Sequence, residues 1–166
     1  MYRYLDTFSQ RLAQFSQCLG AITALIMVLS LLLGVFYRYA LQSSLSWSDE
    51  VALLTASRTT FLFGSALVRH FEHVRVTLFL SLLPSVLAGL LERINVLLVL
   101  ILGIAMLWTG YGFMAFAADQ VSAAIRYPMW IRNAALPVAG AFICIHALAL
   151  LLKPSLLNEL REENNG

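Results

Sequence analysis

Apolar residues run through this chain in long unbroken blocks, with charges gathered at the block ends. Between Arg11 and Arg38 there is no charge, and the apolar heart reads LGAITALIMVLSLLLGVFY. Arg93 and Asp119 enclose INVLLVLILGIAMLWTGYGFMAFAA, and Arg132 and Lys153 enclose NAALPVAGAFICIHALALLL. A helix needs about 20 mainly apolar residues to cross a hydrocarbon core of about 30 Å, and each of these blocks meets that length. A fourth block, VALLTASRTTFLFGSALV from Val51 to Val68, contains Arg58 but has charge at both ends and Trp47 where an aromatic belt residue sits. The pattern predicts an all-α membrane protein, a single four-helix domain over 1–166 with spans at about 15–38, 48–69, 93–118 and 133–153.

The stretch VTLFLSLLPSVLAGLL, Val76 to Leu91, is uncharged but only 16 residues long, and Pro84 interrupts it. A proline inside a helix costs about 3 kcal/mol unless neighbours compensate. Ser81, Ser85, Gly89 and Glu92 give it a thin polar edge at helical spacing. An interfacial arm over about 74–91, between the second and third spans, fits better than a fifth crossing. Basic residues then set the orientation. Arg3, Arg11, Arg69, Arg75, Arg93, Lys153 and Arg161 make seven on one side, against three on the other, Arg38, Arg126 and Arg132. Both termini are expected on the cytoplasmic side.

Composition agrees: 60% of residues are hydrophobic, mean hydropathy is +0.80 and only 12% are charged, half the roughly 25% of a soluble domain. A net charge of +2, with scattered basic residues, excludes a nucleic-acid surface. The opening MYRYLDTFSQRLAQFSQ lacks a signal-peptide pattern, so the first block is expected to stay as an anchor. Cys18 and Cys144 stand alone in apolar runs and read as packing residues. His70 and His73 sit in the charged connector RHFEHVR, leaving His146 as the one histidine within a span, which disfavours a bis-His haem pocket. No Gly-rich phosphate loop, HExxH or Ser/His/Asp arrangement occurs, so no catalytic residue, cofactor or metal is expected and the chain does not read as an enzyme.

The polar residues of WSDEVALLTASRTTF are the puzzle. Glu50, Ser57 and Gly64, seven apart, line one helical stripe, flanked by Arg58 and Ser65. An arginine near mid-span costs about 2.5–3.5 kcal/mol, which selects for a protein partner, a watery crevice or a snorkelling escape. Arg58 lies about 12 Å below Glu50 along the helix, too far for an intrahelical pair, so its partner comes from elsewhere. Asp49 and Glu50, with Ser46 and Ser48, also suit a helix N-terminus, which accounts for them more blandly. A proton or ion relay would need several ionisable groups on facing helices, and the other spans offer only His146. On the third span Gly103 and Gly110, also seven apart, form a small-residue stripe suited to close helix packing.

Together these motifs resemble the small membrane subunit, DctQ-like or SiaQ-like, of tripartite ATP-independent periplasmic (TRAP) transporters. The likeness rests on Trp47, Asp49 and Glu50; on Arg69, Glu72, His73, Val74 and Val76; on Pro84; and on Pro128, Met129, Trp130, Leu136 and Pro137, across roughly residues 15–153. Two positions depart from the family's pattern: Thr77 where an Asp is common, and Leu53 where a basic residue is common, with Arg58 lower on the helix. The resemblance implies a non-catalytic subunit of a sodium-coupled organic-anion importer in a bacterial inner membrane. Its expected partners are a large many-span DctM-like subunit, which it braces, a periplasmic substrate-binding protein, which it helps dock, and membrane lipids. Trp47, Asp49, Glu50, Ser57, Arg58, Gly64, Arg69, Glu72, His73 and Arg75 become candidate contacts with the partner subunit. Arg126, Pro128, Trp130 and Arg132 become candidate contacts with the binding protein, or interface anchors. The short polar tail LNELREENNG is expected to end this chain on its own. Two other classes stay open: a self-sufficient small homo-oligomeric transporter, and the membrane anchor of a haem or quinone redox complex.

Overall fold

The computed structural model describes residues 2–70 and 85–152. They form α1 (Tyr2–Ala40), α2 (Ser46–His70), α3 (Ser85–Phe116), the short α4 (Trp130–Asn133) and α5 (Ala135–Leu151). Four stretches are long and apolar enough to cross a bilayer: Tyr4–Ala40, Ser46–Arg69, Arg93–Phe116 and Trp130–Leu151.

Two elements run further than the apolar blocks suggested. α1 is one continuous helix of 39 residues that absorbs the polar opening, because no proline interrupts it before its end. It stops where Gln42 takes a left-handed φ of 47° and the Ser43 amide folds back to the Tyr37 carbonyl at 3.2 Å. Of the arm expected over 74–91, residues 74–84 lie outside the described residues. Residues 85–91 are the first turns of α3, continuous with the third span, where a separate arm had been expected. No proline lies within that helix to interrupt it. At 32 residues α3 is about 48 Å long, so it must tilt or project from the hydrocarbon.

Small and hydroxylated residues hold the bundle together. Ser9, Ala13, Ser16, Gly20, Thr23 and Ser30 are buried along one line of α1, and Ser48, Ala52, Thr55, Leu62, Ala66 and Arg69 along one line of α2. Both lines step by three and four residues, the repeat that keeps two helices in continuous contact. The pair is antiparallel: Thr23 Oγ1 lies 2.9 Å from Thr59 Oγ1, a Cβ on Gly34 would sit 2.5 Å from Ser48 Oγ, and Asp6 pairs with Arg69 at the far end. Large apolar side chains point outward instead; Leu25, Leu32, Leu98 and Trp108 are all exposed. Lipid is as apolar as leucine, so nothing drives such residues inward, and close approach of backbones carries the packing.

α5 is the hub. It packs against α1, α2 and α3, whereas α3, among the described residues, touches only α4 and α5. A Cβ on Gly140 would lie 2.7 Å from the Leu107 amide nitrogen and 2.9 Å from the Gly103 carbonyl oxygen, so only glycine permits this approach. Gly110 makes room for Pro137, whose Cδ and N lie 2.8 Å from where its Cβ would be. Pro137 also explains the break between α4 and α5. Having no N–H, it cannot bond to the carbonyl of Asn133 four residues earlier.

Candidate functional site

The connection between α3 and α4, residues 117–129, folds back on itself. The Ser122 amide donates to Tyr127 O at 3.0 Å, the Met129 amide to Gln120 O at 2.8 Å, and Val121 pairs antiparallel with Pro128. Arg126 turns the corner with a left-handed φ of 61°. This small hairpin reaches α2. Glu50 Oε1 accepts from the Ala124 amide at 2.7 Å, and its Oε2 accepts from the Ile125 amide at 2.9 Å and from Ser122 Oγ at 2.8 Å. A carboxylate is acceptor-only, so one side chain meets three donors at the hairpin tip without conflict.

Arg58 holds the other end of the same connection. Its Nη2 donates to the Ile131 carbonyl at 3.0 Å, in the first turn of the fourth span. Glu50 and Arg58 are eight residues apart, about 12 Å along α2, and that separation lets one helix grip the connection at its tip and at its exit. The two residues therefore serve one feature of the chain without touching each other. Among the described residues no carboxylate reaches Arg58. Arg58 also lines a crevice of about 190 Å³ together with Leu19, Phe61, Leu62, Ile131, Ala134, Ala135, Val138 and Ala139.

Around this clamp the expected contact residues divide. Trp47 and Asp49 lie in the first turn of α2, where Asp49 faces Arg38 at 3.9 Å with both side chains largely exposed, a weak pair. Ser57 donates to its own helix at Leu54 O, 2.9 Å away. Gly64 is exposed, and among the described residues no atom lies within 4 Å of a would-be Cβ, so it serves no close approach there; the buried small residue is its neighbour Ser65. Trp130 is exposed, and Pro128 and Arg132 are partly buried in the hairpin strand and α4. Gly103 and Gly110 both face α5. Glu72, His73 and Arg75 lie outside the described residues.

At the opposite end Arg69, 9% exposed, binds Asp6, and its Nη1 has no partner among the described residues. His146, fully buried on α5, meets Ser9 Oγ of α1 through Nδ1 at 2.7 Å. Sequence reasoning missed Asp6, Ser9, Ser122 and the α1 line. Only the last left a trace, small residues recurring at 9, 16, 23 and 30.

A four-span bundle whose membrane-buried polar side chains tie its own helices and one connection together has the build of a small integral membrane component. The family model described as "Tripartite ATP-independent periplasmic transporters, DctQ component" matches residues 27–155, well over half of the chain. The chain belongs to that family and is the small membrane component of a TRAP transporter. Such a component is part of a transporter and generally non-enzymatic. No curated protein matches the chain.

Proposed function

We propose that the chain is a non-catalytic scaffold. It braces the large DctM-like subunit of a sodium-coupled organic-anion importer in a bacterial inner membrane, with both termini cytoplasmic. The clamp is the observation that carries this reading. Glu50 and Arg58, the two charges most suggestive of transport chemistry, are both engaged in holding residues 122–131 against α2. A subunit that resists the motion of a neighbour needs stiffness between its helices, and hydrogen bonds to backbone groups supply it. The hairpin end carries Trp47, Arg126, Pro128, Trp130 and Arg132 and is the periplasmic face in this orientation, where it helps dock the substrate-binding protein. The outward side of α2 around Gly64, which the described helices leave open, receives the large subunit.

Co-purification from the native membrane tests the proposal. A tagged chain should bring down a many-span subunit, and Arg58→Leu should leave membrane insertion intact while lowering recovery of that subunit and solute uptake. Unchanged assembly and transport in Arg58→Leu would remove the clamp from the account.

A further inference from the structure

We infer that the crevice beside Arg58 is a binding site for a membrane glycerophospholipid, with the phosphate on the guanidinium and an acyl chain between α1, α2 and α5. This goes beyond the scaffold reading and does not depend on it. Arg58 has five N–H donors, of which Nη2 makes one hydrogen bond, to Ile131 O. No described carboxylate neutralises it, and its helix is one of the four able to cross a bilayer. A guanidinium so placed calls for an acceptor from outside the chain.

The lining decides which acceptor. Leu19, Phe61, Ala135 and Val138 make the walls apolar, and Arg58 is the only charged group there among the described residues. Water needs two to four polar partners to settle in a buried site, and about 190 Å³ is space for several waters with nearly nothing to bind them. A molecule with one anionic oxygen cluster and a hydrocarbon body matches both halves, and the phosphate of a lipid offers the oxygens that a guanidinium fork grips in pairs. Ile131 in the crevice wall belongs to the first turn of the fourth span and follows exposed Trp130 in the chain, a residue type enriched at headgroup level.

The test uses the full chain purified in mild detergent and stripped of endogenous lipid, with phosphatidylglycerol titrated in and binding read by native mass spectrometry. Wild type should bind phosphatidylglycerol about tenfold more tightly than Arg58→Gln, the loss expected for a charge-assisted contact. Ala135→Leu, which keeps the guanidinium but fills the slot, should lose binding to a similar degree. It also guards against an Arg58→Gln variant that fails to fold. A diacylglycerol without phosphate should bind wild type and Arg58→Gln alike, and inorganic phosphate should not bind. Equal phosphatidylglycerol affinity in wild type and both variants would overturn the inference. So would Arg58-dependent binding of inorganic phosphate alone, or, in a parallel experiment on the complex in its native membrane, a photo-crosslinker at Val138 that captures a carboxylate-bearing helix of the large subunit in place of lipid.

Discussion

Replacing Gly140 by alanine adds one methyl group where the backbones of α3 and α5 approach closely. Its Cβ would lie 2.7 Å from the backbone nitrogen of Leu107 and 2.9 Å from the backbone oxygen of Gly103, distances that only a shift of α3 relative to α5 can relieve. Overpacking of this kind costs about 1–3 kcal/mol, and contact with backbone puts it near the upper end. The helix propensity of alanine returns about 1 kcal/mol, leaving a net loss of about 2 kcal/mol. Gly112 supplies the control. It lies within α3 and has nothing within 4 Å of a would-be Cβ, so Gly112→Ala should gain about 0.5–1 kcal/mol from propensity alone. Thermal unfolding of the purified chain in one detergent reads both. Gly140→Ala should melt about 4–8 °C below wild type, and Gly112→Ala at or slightly above it. If Gly140→Ala melts no lower than Gly112→Ala, backbone approach does not govern the α3–α5 contact, and the packing argument is wrong.

Three other outcomes follow from particular contacts. Glu50→Ala, which removes the acceptor, should free the hairpin without unfolding the bundle: amide exchange at Ala124 and Ile125 should rise sharply while that of α5 stays unchanged, and protection retained at both amides would show that Glu50 does not hold them. Asp6→Asn should destabilise by about 2–3 kcal/mol, since it strands a buried guanidinium, whereas joint replacement by Asp6→Leu and Arg69→Met should recover most of that loss. A denaturation midpoint equal to wild type in the single variant would contradict the pairing. Gly64→Leu should leave the isolated chain as stable as wild type, because the position is open, yet reduce co-purification of the large subunit; full recovery of the complex would place that interface elsewhere.

The spans were legible because bilayer thickness imposes a length and a composition that survive without any knowledge of packing. Four helices in the structure are long and apolar enough to cross a bilayer, the number that the charge-bounded blocks call for. Register was harder. The stripe through Glu50, Ser57 and Gly64 stood out as a candidate partner contact, whereas the face α2 buries within the chain, Ser48, Ala52, Thr55 and Ser65, did not, because hydroxyls that bond to their own helix, as Thr55 does to Val51 and Ser65 to Leu62, pack as readily as alanine. Arg58's need for a partner outside its helix could be read from its cost in lipid. Its identity could not, because the acceptor is the backbone carbonyl of Ile131, and every residue has one. Ser9 and His146 lie 137 residues apart, and neither is unusual within its own helix.

The central claim is that this chain supports a transporter and moves nothing itself. Sodium-driven uptake of organic anions into vesicles tests it most directly, comparing this chain alone, the large subunit alone, and the two together with the binding protein. The account predicts uptake only for the complete set, with the isolated chain at the level of empty vesicles. Uptake above that level by this chain alone would contradict it.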